Sequence, residues 1–299
     1  QSNYFANISY QGMYPIVDLN FENDGRQTTI PKGTLKDQTK DLVDNWRQQA
    51  ISLGLRLPLN FQRNKFYSKL TLGTSFSHLE GKDYDLANRY ATQIGASSLQ
   101  SLTNYLSFSR KIKNAKRDVG PRWEQNALIY SRDTPFGKNL ESKLFAVQGG
   151  LVFPGFTKHD NIRLRANYLT NGKENTYFFS SPVAFPRGYD YSVFDKMSMA
   201  SIDYKTPIAD PDLALGRILY IQRVKAGLYV DFGQGQYLDS KNVNQIVNYN
   251  SMGVDLSAIF NVMRFLTPVE MGVRFNYIPK PIGGQKSFQV IPLIIDIPF

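Results

Sequence analysis

Gln289-Val290-Ile291-Pro292-Leu293-Ile294-Ile295-Asp296-Ile297-Pro298-Phe299 closes the chain. Ile291, Leu293, Ile295, Ile297 and Phe299 recur at every second position, which puts them on one face of an extended strand. Pro292, with Gln289, Val290 and Asp296 around it, breaks a helical reading. A chain that ends on an aromatic residue in such a strand directs attention to a wall facing lipid. There every backbone polar group must be paired within a sheet.

The same alternation recurs upstream. It predicts strands near 4–10, 14–22, 48–60, 66–80, 101–112, 122–133, 142–153, 160–170, 196–206, 216–232, 249–261, 267–278 and 287–298. The third is the cleanest: Ile51, Leu53, Leu55, Leu57 and Leu59 alternate with Ser52, Gly54, Arg56 and Pro58. Connections near 11–13, 61–65, 113–121, 154–159, 207–215 and 262–266 are short. Those near 23–47, 81–100, 171–195 and 233–248 are long and polar, and those near 134–141 and 279–286 are modest. Long connections at every second position are expected of an all-β, antiparallel, up-and-down transmembrane barrel with tight periplasmic turns and larger outer loops. A soluble sandwich has no reason to keep that parity. The strand count is odd, whereas single-chain bacterial barrels have even numbers, so either a further strand lies within 23–47 or 81–100 or the sheet begins upstream of Gln1; the second is favoured, because the chain opens directly into Tyr4–Tyr10.

Composition agrees. No run of about 18 apolar residues offers a transmembrane helix. The mean hydropathy of -0.35 is what alternation gives when lipid-facing and interior residues average out. The 18 tyrosines and 20 phenylalanines suit interfacial girdles. The net charge of +10 is spread through strands, as in Ile162-Arg163-Leu164-Arg165-Ala166, so the arginines are expected inside a barrel rather than on a nucleic-acid-binding face. With no cysteine, and with only His78 and His159 at opposite ends of the wall, no zinc cluster and no hydrolase site can be assembled. No enzyme, cofactor or metal is expected, and Gly283-Gly284 reads as a hairpin tip rather than a phosphate loop.

The loop near 171–195 carries Phe185-Pro186-Arg187-Gly188-Tyr189. Ala200–Pro207, then Ala226-Gly227-Leu228-Tyr229-Val230-Asp231-Phe232-Gly233, then Ser251–Leu256 follow it. This order resembles the C-terminal barrel of the BamA/TamA insertase and two-partner-secretion superfamily, the bacterial surface antigen barrels. The resemblance implies sixteen strands and a sixth outer loop that folds into the lumen, with an Arg-Gly-aromatic tip followed by five strands. Five predicted strands follow Arg187 here, so about three would lie upstream, and residues 1–299 would be one barrel domain ending a longer protein.

The residues give the lock's chemistry independently. Tyr229 and Asp231 share the face opposite Leu228, Val230 and Phe232, so Asp231 points inward, as does Asp255 on the next strand. A guanidinium lowered into the barrel needs a carboxylate. Arg187 is expected to pair with Asp231, or secondarily with Asp255; Gly188 is expected to allow a tight turn against the wall, and Tyr189 to wedge beside it. Ile295, Ile297 and Phe299 are expected to form the C-terminal targeting strand, although Pro292 and Pro298 remove ladder donors there.

Gly12-Met13-Tyr14-Pro15, Leu57-Pro58-Leu59-Asn60, Lys116–Trp123 and Phe153-Pro154-Gly155-Phe156 resemble the subgroup whose barrel follows a periplasmic TolB-like propeller. The expected location is the outer membrane of a Gram-negative bacterium. Membrane lipid, lipopolysaccharide and other envelope proteins are the expected partners, and nucleic acid is not. Three functions are compatible with these features: insertion or export of envelope proteins or lipids, anchoring of an upstream domain or partner complex, and a passive pore.

Overall fold

A computed structural model describes residues 3–30, 42–82, 98–113, 115, 118–136, 141–172, 179–189, 194–238, 244–262, 268–282 and 285–295. Thirteen strands follow one another in an antiparallel meander: β1 (Tyr4–Tyr10), β2 (Ile16–Ile30), β3 (Leu42–Arg63), β4 (Phe66–Lys82), β5 (Ser98–Ile112), β6 (Glu124–Asp133), β7 (Lys143–Pro154), β8 (Asn161–Asn171), β9 (Lys196–Ala209), β11 (Leu219–Leu238), β12 (Asn244–Val262), β13 (Val269–Tyr277) and β14 (Phe288–Ile295). The fourteenth, β10 (Leu213–Leu215), is a three-residue strand that folds back on β11 within the β9–β11 connection. Strands β1 and β14 stand at the two ends of the path, and no pairing joins them among the described residues. Any strands that would complete sixteen are likewise not among those residues.

The period-two pattern sets the two faces. Ile51, Leu53 and Leu55 are exposed on one face of β3, while Ala50 and Gly54 are buried on the other. On β11, Leu228 and Phe232 are exposed, whereas Tyr229 and Asp231 are buried. The buried face is concave. Ala50, Leu79 and Leu99, near the loop ends of β3–β5, join one cluster with Leu169, Met197, Tyr249 and Ile278 from the far side of the sheet. Phe179, Val183, Tyr189 and Phe194 of the β8–β9 loop fill its middle.

Prolines fall where the ladder can spare a donor. Pro58 lies past the last β2–β3 pair at Arg56, and Pro154 past the last β6–β7 pair at Val152. Pro207 lies past the last β8–β9 pair at Lys205. Pro292 sits on β14, at the end of the path.

One expectation changes. The polar stretches 23–47 and 233–248 are hairpin arms over much of their length: Asn23 pairs with Gln49, and Gly235 with Val247. Polar composition marks where the apolar band stops, and backbone pairing continues beyond it. The terminal alternation, which left the side of its apolar set open, receives its side from the sheet. Ile291 lies on the concave side with Gln289, while Phe288 and Val290 are exposed on the convex side. Both sets are apolar, so hydrophobicity could not choose between them; Gln289, hydrogen-bonded inside, fixes the parity. Ile295 is the last residue of β14, and Ile297 and Phe299 lie outside the described residues.

Candidate functional site: a loop anchored on the concave wall

Antiparallel pairing brings three polar positions into one row. Ser201 on β9 faces Asp231 on β11, which faces Ser251 on β12. One step nearer the turns, Asp203 faces Tyr229, and Tyr229 faces Gly253. Arg187 descends from the β8–β9 loop onto this patch. Its Nε donates to Asp231 Oδ2 at 2.8 Å and its Nη2 to Asp231 Oδ1 at 2.6 Å, a bidentate pair. Its Nη1 donates to Asp203 Oδ1 at 2.5 Å, and its Nη2 also donates to Ser201 Oγ at 2.9 Å. The Arg187 backbone amide adds a bond to Asp231 Oδ2 at 2.9 Å. The guanidinium lies 3.6 Å from the centroid of the Tyr229 ring.

Burial gives the cluster its importance. The Asp231 side chain is 0% exposed and that of Arg187 14%. Removing one partner of such a pair leaves a charge uncompensated in a poorly solvated place. Burial disfavours the charged guanidinium, but the hydrogen bond and charge of Asp231, together with Asp203, more than offset this and hold Arg187 above the ordinary arginine range.

The next two loop residues are fixed by contact. Gly188 adopts φ 84°, and a Cβ there would lie 1.6 Å from Asn276 Nδ2, so no other residue fits without displacement. Its carbonyl accepts from Gln289 Nε2 at 3.1 Å, which ties the loop to the last strand. The Tyr189 hydroxyl donates to the carbonyl of Asn250 at 2.9 Å and lies 3.2 Å from that of Lys280. Its ring meets Tyr249 edge-on at 5.1 Å. Burial pushes this hydroxyl up from its ordinary range, which keeps it a neutral donor.

Glycines on β11 mark the loop's footprint. A Cβ at Gly233 would come 2.5 Å from Pro186, and one at Gly235 would come 2.5 Å from Phe194. Asp231, Gly233 and Gly235 share the inward face, so the loop lies on backbone where side chains would obstruct it.

Of the residues expected to form the lock, the structure brings together Arg187, Gly188, Tyr189 and Asp231. Asp255 is on the same concave face but belongs to a neighbouring pair, accepting from Arg274 Nε at 2.7 Å and Nη2 at 2.8 Å. Sequence reasoning missed Asp203, Ser201, Asn276 and Gln289. Asp203 was within reach of the same parity argument that found Asp231, since it sits on the strand that pairs with β11. The period-two glycines of Asp231-Phe232-Gly233-Gln234-Gly235 were a second available signal. Among the described residues, no group of three or more His, Asp or Glu side chains could hold a metal ion. His159 Nδ1 lies 3.0 Å from Asp118 Oδ1, and His78 on the convex face lies 3.3 Å from Glu80.

No family model matches the chain, and no curated protein matches it. Among solved structures the chain is similar to BamA. One such structure is BamA from Haemophilus ducreyi lacking POTRA domains 1–3, with a TM-score of 0.47 and 16% sequence identity. The match covers 97% of this chain and 66% of that one, so this chain spans about two thirds of the length of that structure.

Proposed function

We propose that this chain is an outer-membrane β-barrel domain of the BamA/TamA insertase and translocator superfamily, acting in the insertion or export of envelope proteins or lipids. The observation that carries the reading is the Arg187 loop held on the concave wall by Asp231 and Asp203. The geometry of the site suits a mechanical role. A loop anchored there braces the wall formed by β9, β11, β12 and the last strand, β14, without blocking movement elsewhere in the sheet.

The convex face supports a membrane location. Leu53, Leu55, Leu72, Phe76, Leu228 and Phe232 are all exposed there. Leaving one such side chain in water forgoes about 1.5–3 kcal/mol, and a whole face of them suits a surface covered by acyl chains. At the turn end, Trp123 packs edge-on against Phe66 at 5.1 Å, with the Arg110 guanidinium 4.4 Å from the Phe66 centroid. An aromatic and cationic rim of this kind suits a headgroup boundary. Lipid and lipopolysaccharide outside, and envelope proteins at the periplasmic rim, are the partners this arrangement would meet.

Depletion in the native host, followed by measurement of unfolded outer-membrane proteins in the periplasm, tests the reading. Accumulation is expected, and normal assembly with normal lipid asymmetry would refute it. Orientation is tested by cysteines placed at the exposed positions Lys158 and Lys280. Only the Lys280 position should react with an impermeant reagent in intact cells.

A second reading, an anchor for a periplasmic domain or partner, is favoured by the way three turns are tied together. His159 meets Asp118, the Val119 amide donates to the His159 carbonyl at 3.1 Å, and Asn161 Nδ2 donates to the Pro121 carbonyl at 3.3 Å. Arg223 spans Asp210 Oδ1 at 2.5 Å and the Asp118 carbonyl at 3.5 Å. Such a platform presents a fixed surface at the turn end. Crosslinking from Lys158 that captures one periplasmic protein, with outer-membrane assembly unchanged on depletion, would favour the anchor.

A further inference from the structure

Nearer the turns than the lock, the concave faces of β8, β9, β11, β12 and β13 carry a second charged layer whose carboxylates are already engaged. Asp203 accepts from Arg187, and from Arg165 Nη2 at 3.0 Å. Asp255 holds Arg274. Glu270 accepts from Lys225 Nζ at 2.8 Å and from Ser257 Oγ at 2.7 Å. Two cations of the layer, Arg163 and Lys205, make no ion pair or hydrogen bond among the described residues.

These two are neighbours. Strand pairing sets Arg163 opposite Asp203 and Asn161 opposite Lys205, so the cations stand on one diagonal of the concave face. Diagonal positions lie roughly 7–8 Å apart at the backbone, a span two long side chains can close. Lys205 sits in the fields of Arg163 and Lys225 and also of Glu270 and Asp203, two carboxylates already bonded to Lys225 and to Arg187 and Arg165 respectively. Across the β9–β11 pair it faces Gly227, where a Cβ would stand 3.7 Å from Lys205 Cγ, so no opposing side chain covers the lysine stem from that strand. Beside them, Arg165 Nε is buried with no acceptor among the described residues. Like charges held together next to an unmet N–H are costly unless an anion joins them.

We propose that Arg163 and Lys205, with the Arg165 Nε–H at their edge, form an oxyanion-binding site on the inner wall for a phosphate dianion, either free or as a lipid headgroup. Two cations and a directed N–H match an anion that carries two charges and several acceptor oxygens better than they match chloride.

Isothermal titration of the purified full chain in a micelle of uncharged detergent tests this, using inorganic phosphate at constant ionic strength. One phosphate should bind per chain, and phosphate should raise the parent's unfolding temperature where the same ionic strength of chloride does not. Arg163→Gln and Lys205→Gln should each weaken binding at least about tenfold, whereas Arg163→Lys should stay within about threefold. Without phosphate, both glutamine variants should unfold at or above the parent's temperature, because a like-charge contact is relieved. Short-chain phosphatidic acid, whose phosphomonoester headgroup can carry two charges, identifies a headgroup source if it displaces phosphate, and failure to displace it identifies free phosphate; either supports the site. Undiminished binding in the glutamine variants, or neither binding nor a shift in unfolding temperature up to about 10 mM phosphate, would overturn it.

Discussion

Two arginine–aspartate pairs on the same concave wall show how much surroundings decide. Arg56 on β3 donates from Nε to Asp18 Oδ2 at 2.5 Å and from Nη2 to Oδ1 at 3.3 Å, close in form to the Arg187–Asp231 fork. The Arg56 and Asp18 side chains are 33% and 14% exposed; those of Arg187 and Asp231 are 14% and 0%. Arg56 and Asp18 both belong to strands, so their pairing reinforces a ladder that already exists. Arg187 belongs to a loop, and its pairing determines where that loop lies. The same chemistry is a minor addition in the first half of the sheet and an anchor in the second.

The contrast can be broken most forcefully at the anchor. Asp231→Ala should cost about 3–5 kcal/mol of stability and release the loop, because it leaves Arg187 partly buried against a single carboxylate. Urea unfolding reports the first effect and new protease cleavage between β8 and β9 the second. A loss below about 1 kcal/mol would mean that the two pairs are equivalent.

Gly188→Ala comes next, at about 1–3 kcal/mol, since a Cβ would strike Asn276 and the positive φ is strained. Protease sensitivity of the loop should rise while the Arg56 half of the sheet keeps its hydrogen-exchange protection.

Asp160, in the β7–β8 turn, sharpens the contrast through pH. Burial alone would raise its carboxyl, but hydrogen bonds from the Tyr204 hydroxyl and the Thr157 amide win and hold it below the usual carboxylate range. A lowered native value stabilises the fold above the unfolded value of about 3.9, and this stabilisation disappears as pH falls through the native value. Unfolding midpoints of the parent should therefore fall below about pH 4, with a shallower fall in Asp160→Asn. An identical slope in both would remove Asp160 from the account.

Asp18→Asn should have the smallest effect, within about 1 kcal/mol, as expected for a pair that water still reaches. A larger loss would show the first half of the sheet to be as dependent on its ion pair as the second.

The thirteen strands of the meander, their antiparallel order and the inward side of β11 could be read from the chain because alternation is local, whereas the three-residue β10 is too short to show any period. A residue's face follows from its neighbours two positions away, and thirteen such runs needed no long-range information. Arg187 and Asp231 could be matched because a loop guanidinium and an inward carboxylate are each conspicuous. Asp203 was not distinguished from other inward polar residues, since its role depends on β9 lying beside β11 in one register. The carboxylate that serves Arg274 rather than Arg187 depends on the same kind of distance across the sheet. In β14 both alternating sets are apolar, so only the hydrogen bond from Gln289 to the Gly188 carbonyl could say which faces inward. Sequence alone determined the repeating two-sidedness of the wall, because a strand's side-chain period is fixed by its backbone. Tertiary structure alone decided which charges meet within it, because pairing energy depends on separation and burial, and neither is a property of any one segment.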